Sequence, residues 1–279
     1  MNDFAKRFSR NRGAVIGLII LVAVIILAAV APFIYARSPW ALVQRPFLPP
    51  FTMDLYLLGT DPLGRDLAAG LAHGARVSLL VGLVSTLVAL LIGIPIGAIA
   101  GYFGGWIDDV LMRFTEFFQS MPSFALAIVL VAIFQPSINS MVISIAVVSW
   151  PPVARLLRGE VMSLRVREFV EAAVLSGQTH ATIIWQQILP NAISPIIVLA
   201  SMMVANAILI ESGLSFLGLG DRNVMSWGYI IGAGRTVIRQ AWWVTFFPGL
   251  AILLTALALN LFGEGLNDAL NPRLSRKGR

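Results

Sequence analysis

The side chains able to do chemistry in this chain are few, and their spacing excludes most reactions. Only two lysines occur, Lys6 and Lys277, and neither stands in a GxxxxGK[ST] loop, so the chain cannot cradle nucleotide phosphates that way. It has no HExxH helix, no GxSxG elbow and no cysteine, which removes the common zinc-hydrolase, serine-hydrolase and thiolate chemistries. His73 and His180 are far apart, and each reads as a satisfied polar residue rather than a metal ligand. No catalytic residue, metal site or cofactor is expected. What remains is one polar stretch, residues 161–190, and a few ionisable groups beside apolar runs: Asp61, Arg65, Asp66, Glu116, Glu211 and Glu264.

The polar stretch has the pattern of a docking element. Val166, Val170 and Val174 recur at helical spacing beside Phe169 and Ala173, which predicts a short amphipathic helix. Gly177 breaks it, and Thr179 is placed to cap a second short helix with an apolar face at Ile183, Ile184 and Ile188, until Pro190 ends the run and turns the chain away. The alternative is a passive solvated loop in which Arg167 and Glu171, four apart on a helix, form an exposed ion pair worth only a few tenths of a kcal/mol.

Glu171-Ala172-Ala173, then Gly177, then Leu189-Pro190 resembles the EAA signature of the membrane-spanning permease subunits of ATP-binding-cassette (ABC) importers. In that family the loop is the coupling helix that docks in a cleft of the ATPase subunit. The residue types suit docking, since small alanines permit close approach and a glycine permits a sharp change of direction. The family's usual Ile two residues before the Leu is replaced here by Gln187.

Elements long enough to hold such a loop at a membrane are evident in the composition. The chain has 279 residues, 58% hydrophobic and 12% charged, with a mean hydropathy of +0.84, which defines an integral membrane protein. Its formal charge of +6 belongs to topology and lipid headgroups, not to nucleic acid. Residues 13–36 carry no charge and form the first span; Ala29-Val30-Ala31 resembles a signal-cleavage site, but Pro32 blocks it, so the segment reads as an uncleaved anchor. A proline-rich outer loop follows over residues 37–75. Further spans are expected near 77–107, 110–134, 141–157, 191–210 and 242–262, with an inner turn at 104–109 and outer turns at 135–140 and 221–241. Gly93, Pro95, Gly97 and Gly101 mark the second span as one that packs closely on protein, and Trp150-Pro151-Pro152 should distort the fourth. Trp242 and Trp243 should anchor the last span at the interface.

Seven of the 20 Lys and Arg residues fall in the outer segments and the rest inside, so six spans with both termini cytoplasmic satisfy the positive-inside rule. The organisation expected is an anchor and outer loop at 1–75, a permease domain at 76–270 holding the loop at 161–190, and a basic tail at 271–279.

Three further stretches are similar to the dipeptide, oligopeptide and nickel branch of these permeases: LGTDPLGRD at 58–66 with GARVSL at 74–79, Glu211 before LSFLGLG at 214–220, and WWVTFFPGLAI at 242–252 running to the C-terminal Asn-Pro-Arg-Leu at 271–274. The branch's proline-rich piece before Trp227 is replaced by residues 221–226, which leaves the shape of that loop open. For the residues themselves, two readings stand. Thr60 or Asp61 is positioned to cap a short helix with Pro62 in its first turn, and Asp61, Arg65 and Asp66 form either a self-stapled loop or an outer-gate or partner contact. Glu211 is either a pathway residue or a structural cap.

The resemblance implies an all-α type I ABC importer permease fold of six transmembrane helices in a bacterial inner membrane. It also implies a second permease, one or two ABC ATPase subunits and an extracytoplasmic solute-binding protein. Its rival is an autonomous secondary transporter or channel, which should show ionisable groups in mid-span or internal repeats.

Overall fold

In the computed structural model, residues 2–270 are described, and they form helices joined by short connections and one folded cap. The basic tail and the Asn-Pro-Arg-Leu motif lie outside the described residues. Helix α1 (Asn2–Arg10) is followed by α2 (Arg12–Ile34), whose start is capped by Asn11 accepting from the Ala14 N–H at 3.1 Å. The long α3 (Leu67–Phe103) is followed by α4 (Gly105–Gln119), α5 (Ser123–Phe134) and α6 (Ile138–Leu164). Then come the short α7 (Glu168–Leu175) and α8 (His180–Thr182), α9 (Leu189–Phe216), α10 (Trp227–Gly234) and α11 (Trp243–Leu270). Five helical segments are long and apolar enough to cross a membrane, and a sixth span exists if the bent pair α4–α5 counts as one.

Several expected boundaries shift. The third span is broken: α4 and α5 meet at 83°, because Pro122 lacks an N–H and restricts Met121, so the ladder stops at Ser120. The second span begins ten residues earlier than its charge-free run, at Leu67, and the 75/76 division falls inside α3. No short helix starts at Pro62. Asp66 is the cap, accepting from the Ala68 N–H at 2.9 Å, and Asp61 instead closes a turn through the N–H groups of Leu63 and Arg65. Pro190 does not end its helix; residues 180–216 run on as one path. A proline ring collides with the carbonyl four residues back in a tight α-turn, and here the preceding turn, Ile183–Ile188, is widened, with the Leu189 N–H donating to the Ile184 carbonyl. Likewise α6 continues through Pro151 and Pro152. The expected loop at 221–241 contains α10, tucked against α9 and α11.

Packing follows from small residues. Helices α3 and α6 run side by side in the same direction; a Cβ on Gly93 would stand 2.8 Å from the Trp150 carbonyl, and one on Gly101 2.7 Å from that of Arg158. The face marked by Gly93, Gly97 and Gly101 therefore does meet protein, backbone to backbone. Helix α9 packs on both α3 and α6, and α11 lies between α9 and α2. One apolar cluster runs from Ala89 through Trp150, Val153 and Leu157 to Val170, Ala173, Ile183 and Ile188. The short helices at 161–190 are thus part of the same core as the spans.

Candidate functional site

The elbow formed by α7 and α8 is built on a left-handed glycine. Gly177 has φ +74°, its N–H donates to the Val174 carbonyl, and the Gln178 N–H donates to the Ala173 carbonyl at 3.2 Å. That pair of bonds is a Schellman motif, which ends α7 and turns the chain. Thr179 caps the next helix as its sequence suggests, its side chain accepting from the Thr182 N–H at 3.3 Å. Gln187, the position that departs from the signature, donates to the Gln178 side chain at 3.4 Å and braces the turn.

The expected apolar face splits in two. Val170 and Ala173 turn inward onto Ile183, Ile184 and Ile188, while Val166, Val174 and Leu175 are exposed, Leu175 by 87%, as is Trp185 in the widened turn that follows. Glu171, Ala172, Gly177 and Pro190 are exposed, and Leu189 is half-buried. No Arg167–Glu171 ion pair forms; among the described residues the ion pairs are Asp61–Arg65 and Asp108–Arg158.

Three links tie the elbow end of the molecule to the spans, and none was legible beforehand. Arg158 in α6 binds Asp108 in α4 through two hydrogen bonds of 2.5 Å. Arg165 donates to the carbonyls of Gly101 and Tyr102 at 3.2 Å, satisfying the frayed end of α3. The Tyr102 hydroxyl lies 2.9 Å from His180 Nδ1. Partners 50 to 78 residues apart leave no trace in spacing; the only signal was that polar groups clustered at the same expected boundary.

At the opposite end, residues 35–66 fold into a cap. Asp61 and Arg65 are buried and bonded at 2.5 Å, and the guanidinium lies 5.1 Å from the Trp40 ring and 5.6 Å from that of Tyr229. Burial works against the Arg65 charge, and the hydrogen bond to Tyr229 and the charge of Asp61 outweigh it, so its pKa is raised. Asp66 takes no part in this ion pair. Trp243 is buried and donates to the Thr60 carbonyl at 3.0 Å, fastening the cap to α11, so Trp242 alone of the tryptophan pair is exposed.

Glu211 is not at a helix end. It lies within α9, 1% exposed, and accepts from the hydroxyls of Ser226 at 2.7 Å, Ser215 at 2.9 Å and Ser212 at 3.3 Å. Ser226 also caps α10, accepting from the Tyr229 N–H at 3.0 Å, so the carboxylate joins α9 to α10.

Between these ends, at the α4–α5 bend, an open cavity of about 670 Å³ is bounded by α6 and α9 and lined by Phe118, Gln119, Pro122, Ser149, Arg155 and Asn206 among others. Among the described residues, no group of His, Cys, Asp or Glu is arranged to hold a metal.

Apolar spans around an open cavity, with an elbow packed into their core, have the build of a membrane transport subunit, a permease. Residues 93–276 match the family described as binding-protein-dependent transport system inner membrane component, and the chain belongs to that family. Residues 1–52 match the N-terminal TM domain of oligopeptide transport permease C. The di/tripeptide transport system permease protein DppC of Pseudomonas aeruginosa is 40% identical over 281 residues, covering 98% of this chain and 92% of the relative. The oligopeptide transport system permease protein OppC of Haemophilus influenzae is also 40% identical, over 276 residues, 97% of this chain and 88% of the relative. An inward-facing structure of the MetNI methionine ABC transporter shares the fold at a TM-score of 0.60 and 17% identity, over 72% of this chain and 96% of that one. The protein is a multi-pass inner-membrane permease subunit with an ABC importer permease fold.

Proposed function

We propose that this chain is one of two permease subunits of an ABC importer that moves short peptides delivered by a solute-binding protein. The observation that carries the reading is the elbow: an exposed apolar surface at Val166, Val174 and Leu175, backed by Val170 and Ala173, which belong to the same buried cluster as the spans. A lever fused to the core transmits displacement; a floppy loop would absorb it. The names of the relatives support peptides as the cargo class.

In this reading both termini are cytoplasmic, and one or two ATPase subunits dock on the elbow at Glu171, Ala172, Gly177, Leu189 and Pro190, with Ala173 packed beneath that surface. The chain itself hydrolyses nothing and holds no cofactor. Nucleotide-driven closure of the ATPase pair moves α7–α8 and re-packs the spans between inward- and outward-open states. The parts of the chain are the anchor and cap, expected to end near residue 75 but closing at Asp66 where α3 begins, the permease domain that follows to residue 270, and the tail at 271–279. The outer face of the cap, held together from within by Asp61, Arg65 and Asp66 and seated above the buried Glu211, meets the second permease or the binding protein, and lipid covers the remaining apolar face.

Because the chain has no cysteine, a single Leu175→Cys substitution reports one contact. In the purified complex it should cross-link to an ATPase subunit carrying a cleft cysteine, and Glu171→Lys should weaken co-purification of that subunit. Accumulation of solute against its gradient by this chain alone in liposomes would mean an autonomous carrier and would end the proposal.

A further inference from the structure

The cavity at the α4–α5 bend has an unusual charge balance. Its polar lining comprises Gln119, Ser123, Ser149 and Asn206, all neutral, and a single charged side chain, Arg155; no Asp or Glu lines it. Arg155 stands toward the elbow end of α6 and belongs to neither of the ion pairs among the described residues. On its other side it borders a polar recess in which Asp108, Asp109 and Glu116 are matched in number by Arg113, Arg158 and Arg155 itself, and Asp108 there is held by Arg158. The side-chain hydrogen bond of Arg155 runs instead from Nη1 to Gln119 Oε1 at 2.7 Å. A guanidinium has five N–H donors in a planar fork, so most of the fork stays available to a ligand.

A solvent-exposed guanidinium that makes no direct ion pair, standing between that charge-matched recess and a cavity with largely apolar walls, is placed to take an anion on the cavity side. Its fork matches the two oxygens of a carboxylate better than any neutral group. The four neutral side chains offer both donors and acceptors, which suits the N–H and C=O groups of a peptide backbone without reading its side chains. A volume of about 670 Å³ lies within the range that accommodates small organic ligands.

We propose that Arg155 binds the C-terminal carboxylate of a peptide in transit, and that the amides and hydroxyls of Gln119, Ser123, Ser149 and Asn206 line the path of its backbone. This rests on the peptide-importer reading above. The bond to Gln119 holds the fork in place while the cavity is empty, and an arriving carboxylate takes the free donors. Selection in this cavity is then for a terminus and a backbone, not for a sequence.

The test uses the complete transporter in proteoliposomes, with ATP inside and trialanine or trialanine amide supplied pre-loaded on the binding protein. Arg155→Gln should slow uptake of the free acid on the order of tenfold, the factor expected for one lost charge-assisted interaction, and leave uptake of the amide unchanged. Arg155→Lys should restore part of the preference, and Gln119→Leu, which removes the bond but keeps the charge, should retain it. Equal slowing of both peptides by Arg155→Gln, or a Gln119→Leu variant that behaves like it, would show that Arg155 only bolts α6 to α4 and would overturn the proposal. No effect on either peptide overturns it too. If the wild-type complex hydrolyses ATP but imports neither peptide, the peptide-importer reading fails and takes this inference with it.

Discussion

Arg158 holds Asp108 through two parallel hydrogen bonds, Nε to Oδ1 and Nη2 to Oδ2, each 2.5 Å long, across a separation of 50 residues. The fork ties α6, which leads directly into the elbow, to α4, which forms one wall of the bend beside the cavity. In the proposed cycle any displacement of the elbow would reach the broken span through this fork, and α3 through Arg165 and the Tyr102–His180 contact.

Asp108→Ala should loosen that connection. The carboxylate is 11% exposed and the guanidinium 33%, so solvent screening discounts the pair to about 1–2 kcal/mol. The expected outcome is a modest fall in Tm of the detergent-purified complex, together with ATP hydrolysis that continues while uptake drops. Tight coupling in this variant would assign the bond to stability alone.

At Gly177 the constraint is conformational, since a Cβ there would meet nothing within 4 Å while φ is +74°. Gly177→Val should therefore cost about 1–2 kcal/mol of backbone strain, and Gly177→Asn much less, because Asn tolerates the left-handed region. The ratio of uptake to ATP hydrolysis should fall for Val and hold for Asn. Equal behaviour of the two variants would place the effect in lost surface contact instead.

Glu211 offers a choice between variants that keep and remove an acceptor. Glu211→Ala leaves the hydroxyls of Ser215 and Ser226 facing a void and should destabilise by about 1–3 kcal/mol. Glu211→Gln retains one carboxamide oxygen for those serines and should keep both Tm and uptake near wild type. Lost uptake at unchanged Tm in Glu211→Gln would instead mark the residue as part of the pathway.

The pH dependence of Asp66 has a definite sign. Burial pushes its carboxyl above the ordinary value, against the N–H bonds from Ala68 and Ala69 that pull it down. A raised pKa in the folded state means that the folded protein binds this proton more tightly than the unfolded chain does. The ionised form therefore costs stability above the folded pKa, and the cost vanishes as pH falls below the unfolded value. Asparagine caps a helix as well as aspartate and does not titrate. Asp66→Asn should thus be at least as stable as wild type at neutral pH, with its advantage shrinking toward about pH 4. A Tm difference that does not change with pH would contradict the burial account, and Asp66→Ala, which titrates no more than Asp66→Asn does, should lie about 1 kcal/mol below Asp66→Asn at every pH through the missing cap.

Much of this arrangement was legible residue by residue. Unbroken apolar runs mark the spans because hydrocarbon tolerates no charge there, and the Gly177 and Thr179 signals mark the elbow because turn and cap chemistry are local. Where local signals failed, a neighbour had overridden them. Pro190 reads as a stop, yet a widened turn absorbs it. Glu211 reads as the end of a span, yet three serines make its burial tolerable.

Residue order alone settles that this chain crosses a membrane, roughly where its helices begin and turn, and that an elbow of short helices lies between two spans. Hydropathy, capping and left-handed glycine all act among residues within a few positions of each other, so no fold is needed to read them. That Arg158 meets Asp108, that Glu211 faces serines, and that Arg155 stands unpaired at the foot of a cavity are visible in the folded molecule and nowhere else. Those outcomes depend on which helix faces which, and close packing decides that among segments far apart along the chain.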